Sequence, residues 1–346
     1  MFWSNSKIIL NTILFVILGI LFIVFIFPDG NLKKQDTDEI LKVEPKIEKP
    51  DFVTFTFGGD IMLDRGVRKV VEKNFAGDYS RIFENLDMLH DSDIVFANLE
   101  GTASDQGRHG GGIYSFHMDP LVIPAMKNAG IDILSIANNH VGDWGRAAYT
   151  DTIARLNENG IRFTGGGMNE LSAKEPTIIE KNGMRIGFLA FSDKGPNWME
   201  VKKDTAGLLI ADREDFSEVI ENASKQVDHL IVSFHFGEEY QKIHDKRQKY
   251  LAHVAVDNGA KIVIGHHPHV IQDFEIYKDG YIAYSLGNFI FDQSWSEPTM
   301  QGLLLHIKLK RDGSLSARKD TFKLNNFFQP SDIITGTEEE INFTSQ

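Results

Sequence analysis

The sequence predicts an α/β layered domain carried behind a single membrane-spanning helix. Three observations lead there. Strand and helix patterns alternate through most of the chain. Three hairpin signals, Asn182-Gly183, Asp279-Gly280 and Asp312-Gly313, are spread over its second half and add antiparallel strands. An almost uninterrupted apolar run stands near the N-terminus.

That run occupies 8–27, and within it only Asn11 and Thr12 are polar. At about 1.5 Å rise per residue such a helix spans a hydrocarbon core of roughly 30 Å. No small-x-small cleavage site follows, which favours an uncleaved anchor over a signal peptide. A tail at 1–7 precedes it. Lys7 on one side nearly balances Lys33 and Lys34 on the other, and the short tail favours a large domain outside the cytoplasm. From 28 to 50 the chain is charged and proline-punctuated, as a solvated linker is.

The folded domain is expected at 51–325. It starts with the β-branched and aromatic alternation of 52–57. Helical patterns at 67–73 and 79–89 precede a strand at 93–97, and a loop with four glycines lies at 105–112. A helix at 120–128 leads to a strand at 131–137, and a helix at 146–159 to a strand at 161–164. A hairpin at 177–191 follows, then a helix at 212–226, a strand at 229–234, a helix at 246–258 and a strand at 261–264. Antiparallel strands are expected within 273–285 and 302–323, and 326–346 reads as an acidic tail.

Composition narrows the function. The 346 residues, 42% hydrophobic, can bury a sizeable core, and the net charge of −13 argues against a nucleic-acid partner. There is no cysteine, so a metal would be held by His, Asp, Glu and Asn. The polar residues of interest each follow a predicted strand: Asp60, Glu100, Asn139 with His140, His235, and His267 with His269. Strand carboxyl ends are where α/β sheets place their ligand sites. Singly, each has a plain structural reading as turn residue, exposed charge or satisfied histidine; jointly they point to one crevice. Carboxylates, an amide oxygen and imidazoles suit Mn, Fe, Zn or Ni. Two such ions can clamp an oxyanion, with Glu100 as the bridging carboxylate and His140 as the proton donor to a leaving oxygen.

The segments Gly59-Asp60-Ile61-Met62, Asn98-Leu99-Glu100, Asn138-Asn139-His140, His235-Phe236-Gly237 with Glu239-Tyr240, His267-Pro268-His269-Val270 and Tyr284-Ser285-Leu286-Gly287-Asn288-Phe289 resemble, in order, the CapA family of bacterial capsule and poly-γ-glutamate synthesis proteins. The resemblance covers about 52 to 310. It implies a metallophosphoesterase-like fold, a four-layer β-sandwich flanked by helices. Asp60, Glu100, Asn139, His235, His267 and His269 would then be ligands to a divalent transition metal, two ions of Mn, Fe or Zn, and His140 the general acid. The broader phosphoesterase pattern begins Asp-x-His, whereas Met62 stands at the histidine position; Asp64 is the nearest substitute ligand. Arg65, Arg108, Glu239, Tyr240 and Asn288 stand as candidates for substrate contact. Of the aromatic residues Phe236, Tyr240, Tyr284, Phe289, Phe291 and Trp295, most are expected in the core.

The resemblance implies a membrane-anchored protein of capsule or poly-γ-glutamate-type polymer synthesis or export, a metal-dependent hydrolase acting on a phosphoester, with amide cleavage a second option. Its partners would be the membrane, other subunits of a polymer synthase-export complex, and an extracellular anionic polymer or phosphoester. The rival is a non-catalytic scaffold that holds polymer in that complex.

Overall fold

The computed structural model describes residues 49–343. The expected membrane helix at 8–27, nearly all of the linker and the last three residues lie outside the described residues. Among the described residues no helix is long and apolar enough to cross a membrane.

Two mixed sheets lie face to face. The strands are β1 (Phe52–Ile61), β2 (Ile94–Leu99), β3 (Ile133–Ser135), β4 (Arg162–Thr164), β5 (Thr177–Lys181), β6 (Met184–Ser192), β7 (His229–His235), β8 (Ala260–His266), β9 (Phe274–Tyr277), β10 (Gly280–Ala283), β11 (Asn288–Ile290), β12 (Gln301–Lys310), β13 (Leu315–Leu324), β14 (Pro330–Ile334) and β15 (Glu339–Ile341). The first sheet runs β14-β13-β12-β1-β2-β3-β4, with β11 on the end of β1 and β15 on β13; the second runs β9-β10-β8-β7-β6-β5. β1 to β4 are parallel neighbours, as are β6, β7, β8 and β10, while β12 pairs antiparallel with β1 and β13.

Side chains of period two assemble the layers. Val53, Phe55 and Phe57 of β1 pack between the sheets against Ile231 of β7 and Ile262 and Ile264 of β8. Phe96 of β2 stacks on Phe188 of β6 at 5.9 Å, joining the sheets across this core. The alternate residues Leu230, Val232 and Phe234 face outward, onto helices α4 (Phe216–Ser224) and α5 (Lys246–Asp257). Helices α1 (Arg65–Asn74), α2 (Val122–Asn128) and α3 (Gly145–Glu158) cover the other sheet's outer face. The result is helix, sheet, sheet, helix. Burial of each large apolar side chain contributes about 1.5–3 kcal/mol. At the strand starts the sheets are joined by the β5–β6 turn: Asn182 Nδ2 donates to Phe52 O at 2.9 Å, and Arg311 Nη2 to Asn182 O at 3.1 Å.

Three segments differ from expectation. The helix expected at 79–89 is two 3-10 turns, Tyr79–Phe83 and Asp87–Asp91. Between them Asn85 Nδ2 donates to Pro330 O at 3.0 Å, and Leu86 and Leu89 make i to i+3 bonds. The apolar spacing that suggested an α-helix serves the tighter turns equally well. The acidic segment expected as a tail from 326 adds β14 and β15, both antiparallel to β13, with Ile333 and Ile341 packed on the two cores. β1 runs past 57 to Ile61, because Gly59 lets the Gly287 carbonyl approach and accept from Asp60 N at 3.1 Å. A Cβ on Gly59 would lie 1.9 Å from that oxygen. Gly59→Ala is therefore expected to destabilise the protein by about 1–3 kcal/mol, read as a lower urea midpoint at unchanged slope.

Candidate metal centre

Both sheets end at one crevice. From the first come Asp60 near the end of β1, Glu100 just after β2, and Asn139 with His140 after β3; from the second come His235 at the end of β7 and the turn His267-Pro268-His269 after β8. That turn is unusual in its backbone: His267 has φ 97° and His269 φ 58°, and Tyr240 opposite has φ 66°. Non-glycine residues hold such angles only where the surroundings fix them. Here Tyr240 N donates to Pro268 O at 2.8 Å, and His267 N donates to Asp60 Oδ2 at 3.1 Å.

One group of donors is Asp60, Glu100 and His269, with ligand atoms all within 4.8 Å of one another and all three side chains buried. Asn98 Nδ2 donates to Asp60 Oδ1 at 2.7 Å. Asn288 Nδ2 is committed to Gln293 Oε1 at 3.0 Å and Thr299 O at 2.9 Å, so its oxygen faces His269 Nδ1 at 3.0 Å. His269 therefore carries its proton on Nδ1 and turns the Nε2 lone pair toward Glu100 Oε1, 3.8 Å away. A second group forms where Asn139 Oδ1 lies 2.7 Å from His235 Nε2, which is 3.2 Å from His267 Nδ1. His140 stands beside both: its Nε2 is 3.7 Å from Glu100 Oε1, and its Nδ1 is 2.8 Å from Asp143 Oδ2.

Glu100 shows what this arrangement lacks. Both its carboxylate oxygens are buried and have no hydrogen-bond partner among the described residues. A buried carboxylate left unpaired costs several kcal/mol, and a cation is its natural complement. Burial, then the charges of Asp60 and Glu239, push its pKa well above the ordinary value. Burial also raises that of Asp60, but His266, His269 and Asn98 outweigh it and hold the group ionised. Burial, then the neighbouring imidazoles, keeps His235 far below its usual range and brings His267 to about 3; burial lowers His269. Neutral imidazoles facing an unpaired carboxylate are what divalent Mn, Fe or Zn needs, and the residues present fit such an ion.

The same shifts set the acid sensitivity of the metal-free protein. Below pH 6.5 the unfolded chain takes protons on His235 and His267 that the folded site refuses, whereas the folded chain holds one on Glu100 that the unfolded chain sheds above 4.5. The unfolded state thus gains at least one proton net, so in chelator stability should fall with falling pH between about pH 6 and 5, by about 1.4 kcal/mol per unit for each net proton. His269, His229 and His306, all lowered first by burial, add in the same direction. Urea midpoints in chelator at pH 7 and pH 5 measure this.

The centre opens into a cavity of about 700 Å³ whose lining includes Arg65, Tyr114, Asn139, His140, Glu239, Tyr240, His269 and Trp295. Arg65 is held by Asp292, with Nε 3.2 Å from Oδ2, and its guanidinium lies 4.8 Å over the Phe116 ring. Arg108 is exposed and does not join the lining; its backbone N–H donates to Trp144 O at 3.1 Å. Asn288 is buried behind His269 and away from the cavity lining. Asp64 accepts from His117 N at 2.7 Å and pairs with Arg68 at 3.0 Å, outside both ligand groups. Of the aromatic residues, Tyr240 and Trp295 line the cavity and the others are core.

Several contributors were not singled out from the sequence. Asn98 and Asn138 stand inside recognised motifs, and Asn138 joins two of them, its Nδ2 donating to Leu99 O at 2.8 Å and its Oδ1 accepting from His140 N at 3.2 Å. Asp143, three residues after His140, had only that spacing to mark it. His266 Nδ1 lies 3.4 Å from Asp60 Oδ1, and Asp292 has no local signal for its pairing with Arg65.

Residues 54–293 match the family described as "Bacterial capsule synthesis protein PGA_cap". The chain is 34% identical over 275 residues to the PGA biosynthesis protein CapA of Bacillus subtilis, covering 78% of this chain and 72% of that protein. Over 289 residues it is 33% identical to the capsule biosynthesis protein CapA of Bacillus anthracis, covering 81% and 69%. Among solved structures, a 5'-nucleotidase precursor from Thermus thermophilus aligns with a TM-score of 0.47 at 14% identity, over 81% of this chain and 56% of that one.

Proposed function

The chain belongs to the bacterial capsule synthesis protein PGA_cap family, and from that premise we propose that it is a membrane-anchored, metal-dependent hydrolase in the synthesis or export of an extracellular capsule or poly-γ-glutamate-type polymer. The observation that carries this reading is Glu100, a buried carboxylate with no hydrogen-bond partner among the described residues, set among the imidazoles and carboxylate of a cavity-facing cluster. Divalent ions bound there would supply Lewis-acid activation and charge neutralisation for an in-line displacement.

Asp60, Glu100 and His269 would hold one ion, and Asn139, His235 and His267, with Glu100 between, a second. Asp143 fixes the His140 imidazole through Nδ1, so that Nε2 faces the centre and can deliver a proton to a leaving oxygen. Burial of the cluster keeps bulk water from competing for its donors. A phosphoester or phosphodiester suits this set best, and a backbone amide of the polymer is the second choice. The apolar run at 8–27 supports the anchor and the short tail before it a domain outside the cytoplasm, and company with other membrane subunits is part of the same proposal.

A scaffold that holds polymer without cleaving it is the second reading. It draws on Met62, a non-ligand where the wider phosphoesterase pattern has histidine, and on the apolar run at 8–27, which as an anchor suits assembly into a membrane complex. Metal analysis and a panel of phosphomonoesters and phosphodiesters on the purified protein separate the two. Bound transition metal with metal-dependent turnover supports the hydrolase; protein that binds polymer but holds no metal and turns nothing over defeats it.

A further inference from the structure

Glu239 stands on the turn after β7, next to Glu238, yet the two carboxylates have different surroundings. Glu238 pairs with Lys194 at 3.0 Å. The Glu239 carboxylate lies with ligand nitrogens of both His267 and His269, all within 4.8 Å of one another, and lines the cavity. Its position is fixed from both sides. Gly237, at φ 86°, brings the turn against Gln248, where a Cβ would sit 2.4 Å from Cδ, and the Tyr240 to Pro268 hydrogen bond clamps it onto the turn bearing the two histidines.

Across the centre, Met62 is fully buried with Phe116 and Phe291, and its sulfur accepts from Asp64 N at 3.2 Å. A thioether in an apolar niche is a poor ligand for Mn, Fe or Zn. The Asp60, Glu100 and His269 group therefore offers three protein donors, fewer than an octahedral Mn or Fe ion accepts.

We propose that Glu239 is a metal ligand, entering from the cavity side against His267 and His269 and supplying the donor that the Met62 position lacks. This rests on the metal-centre reading above. A third carboxylate beside Asp60 and Glu100 makes the donor set harder, which shifts its preference toward Mn²⁺.

The test uses the full chain, stripped with chelator and titrated with MnCl₂ by calorimetry, alongside Glu239→Gln, Glu239→Ala and, for loss of a neighbouring charge, Glu238→Gln. Glu239 is exposed, so the variants should match the wild type in metal-free urea midpoint. Both Glu239 variants are expected to bind Mn²⁺ about tenfold or more weakly, or to lose one equivalent, with Glu238→Gln unchanged. Wild-type affinity and stoichiometry in Glu239→Gln would overturn the proposal and leave Glu239 facing substrate. A wild-type chain that takes up no Mn²⁺, Zn²⁺ or Fe²⁺ defeats the metal-centre reading itself, and the two failures are told apart by the wild-type titration alone.

Discussion

Replacing His267 and His269 together with alanine should empty the centre and bring turnover to background. The two rings come from one short turn but face different partners, His267 toward His235 and His269 toward Glu100. One double change therefore removes a donor from each group. With the metal in hundredfold excess over its Kd, the wild type should gain about 2.7 kcal/mol of stability over its chelated form. The variant should gain none. Thermal melts with and without metal, together with metal content, read this directly. A variant that keeps its metal and its melting shift would show that the ligands lie elsewhere.

His140→Ala should do something different: lower kcat by about 10²–10⁴-fold while metal content stays at the wild-type level. His140 touches Glu100 only at 3.7 Å and is braced by Asp143 and by the Phe116 ring, 3.9 Å away between centroids. It is placed to pass a proton and belongs to neither ligand group. Asp143→Asn should fall in the same direction, since the amide neither enforces the Nδ1–H tautomer nor stabilises the imidazolium. Full turnover in His140→Ala would remove the general acid from the scheme. If polymer production in cells survives that change with the protein still folded, the scaffold reading gains.

Much of this was legible in local pattern. The alternation at 52–57 marks β1, and residues next to strand ends mark the crevice, because strand direction and site placement are linked in α/β sheets. What was not legible is nonlocal. Strand order did not reveal that residues 177–283 build a separate sheet and that the chain then returns to the first, since parallel neighbours in one sheet or two share the same alternating order. Arg65 stood as a candidate substrate contact, and its pairing with Asp292, 227 residues away in sequence, had no local sign. Asn288 read as a substrate contact because its motif adjoins the site, yet its amide is consumed in orienting His269. Nor did the sequence carry any sign that the turn bearing Glu239 and Tyr240 closes onto Pro268.

The division of the donors between the sheets has a mechanical meaning. Asp60, Glu100 and Asn139 belong to one sheet, and His235, His267 and His269 to the other, while at the far end the sheets are joined by the Asn182 and Arg311 hydrogen bonds. The sandwich is like a book whose spine is that hairpin turn and whose clasp is the centre. The apolar pages between resist separation but offer little directional resistance to sliding. The clasp adds directional bonds of its own, His267 N to Asp60 Oδ2 and Asn139 Oδ1 against His235 Nε2, so the crevice that would perform the chemistry also fastens the two leaves at their open edge.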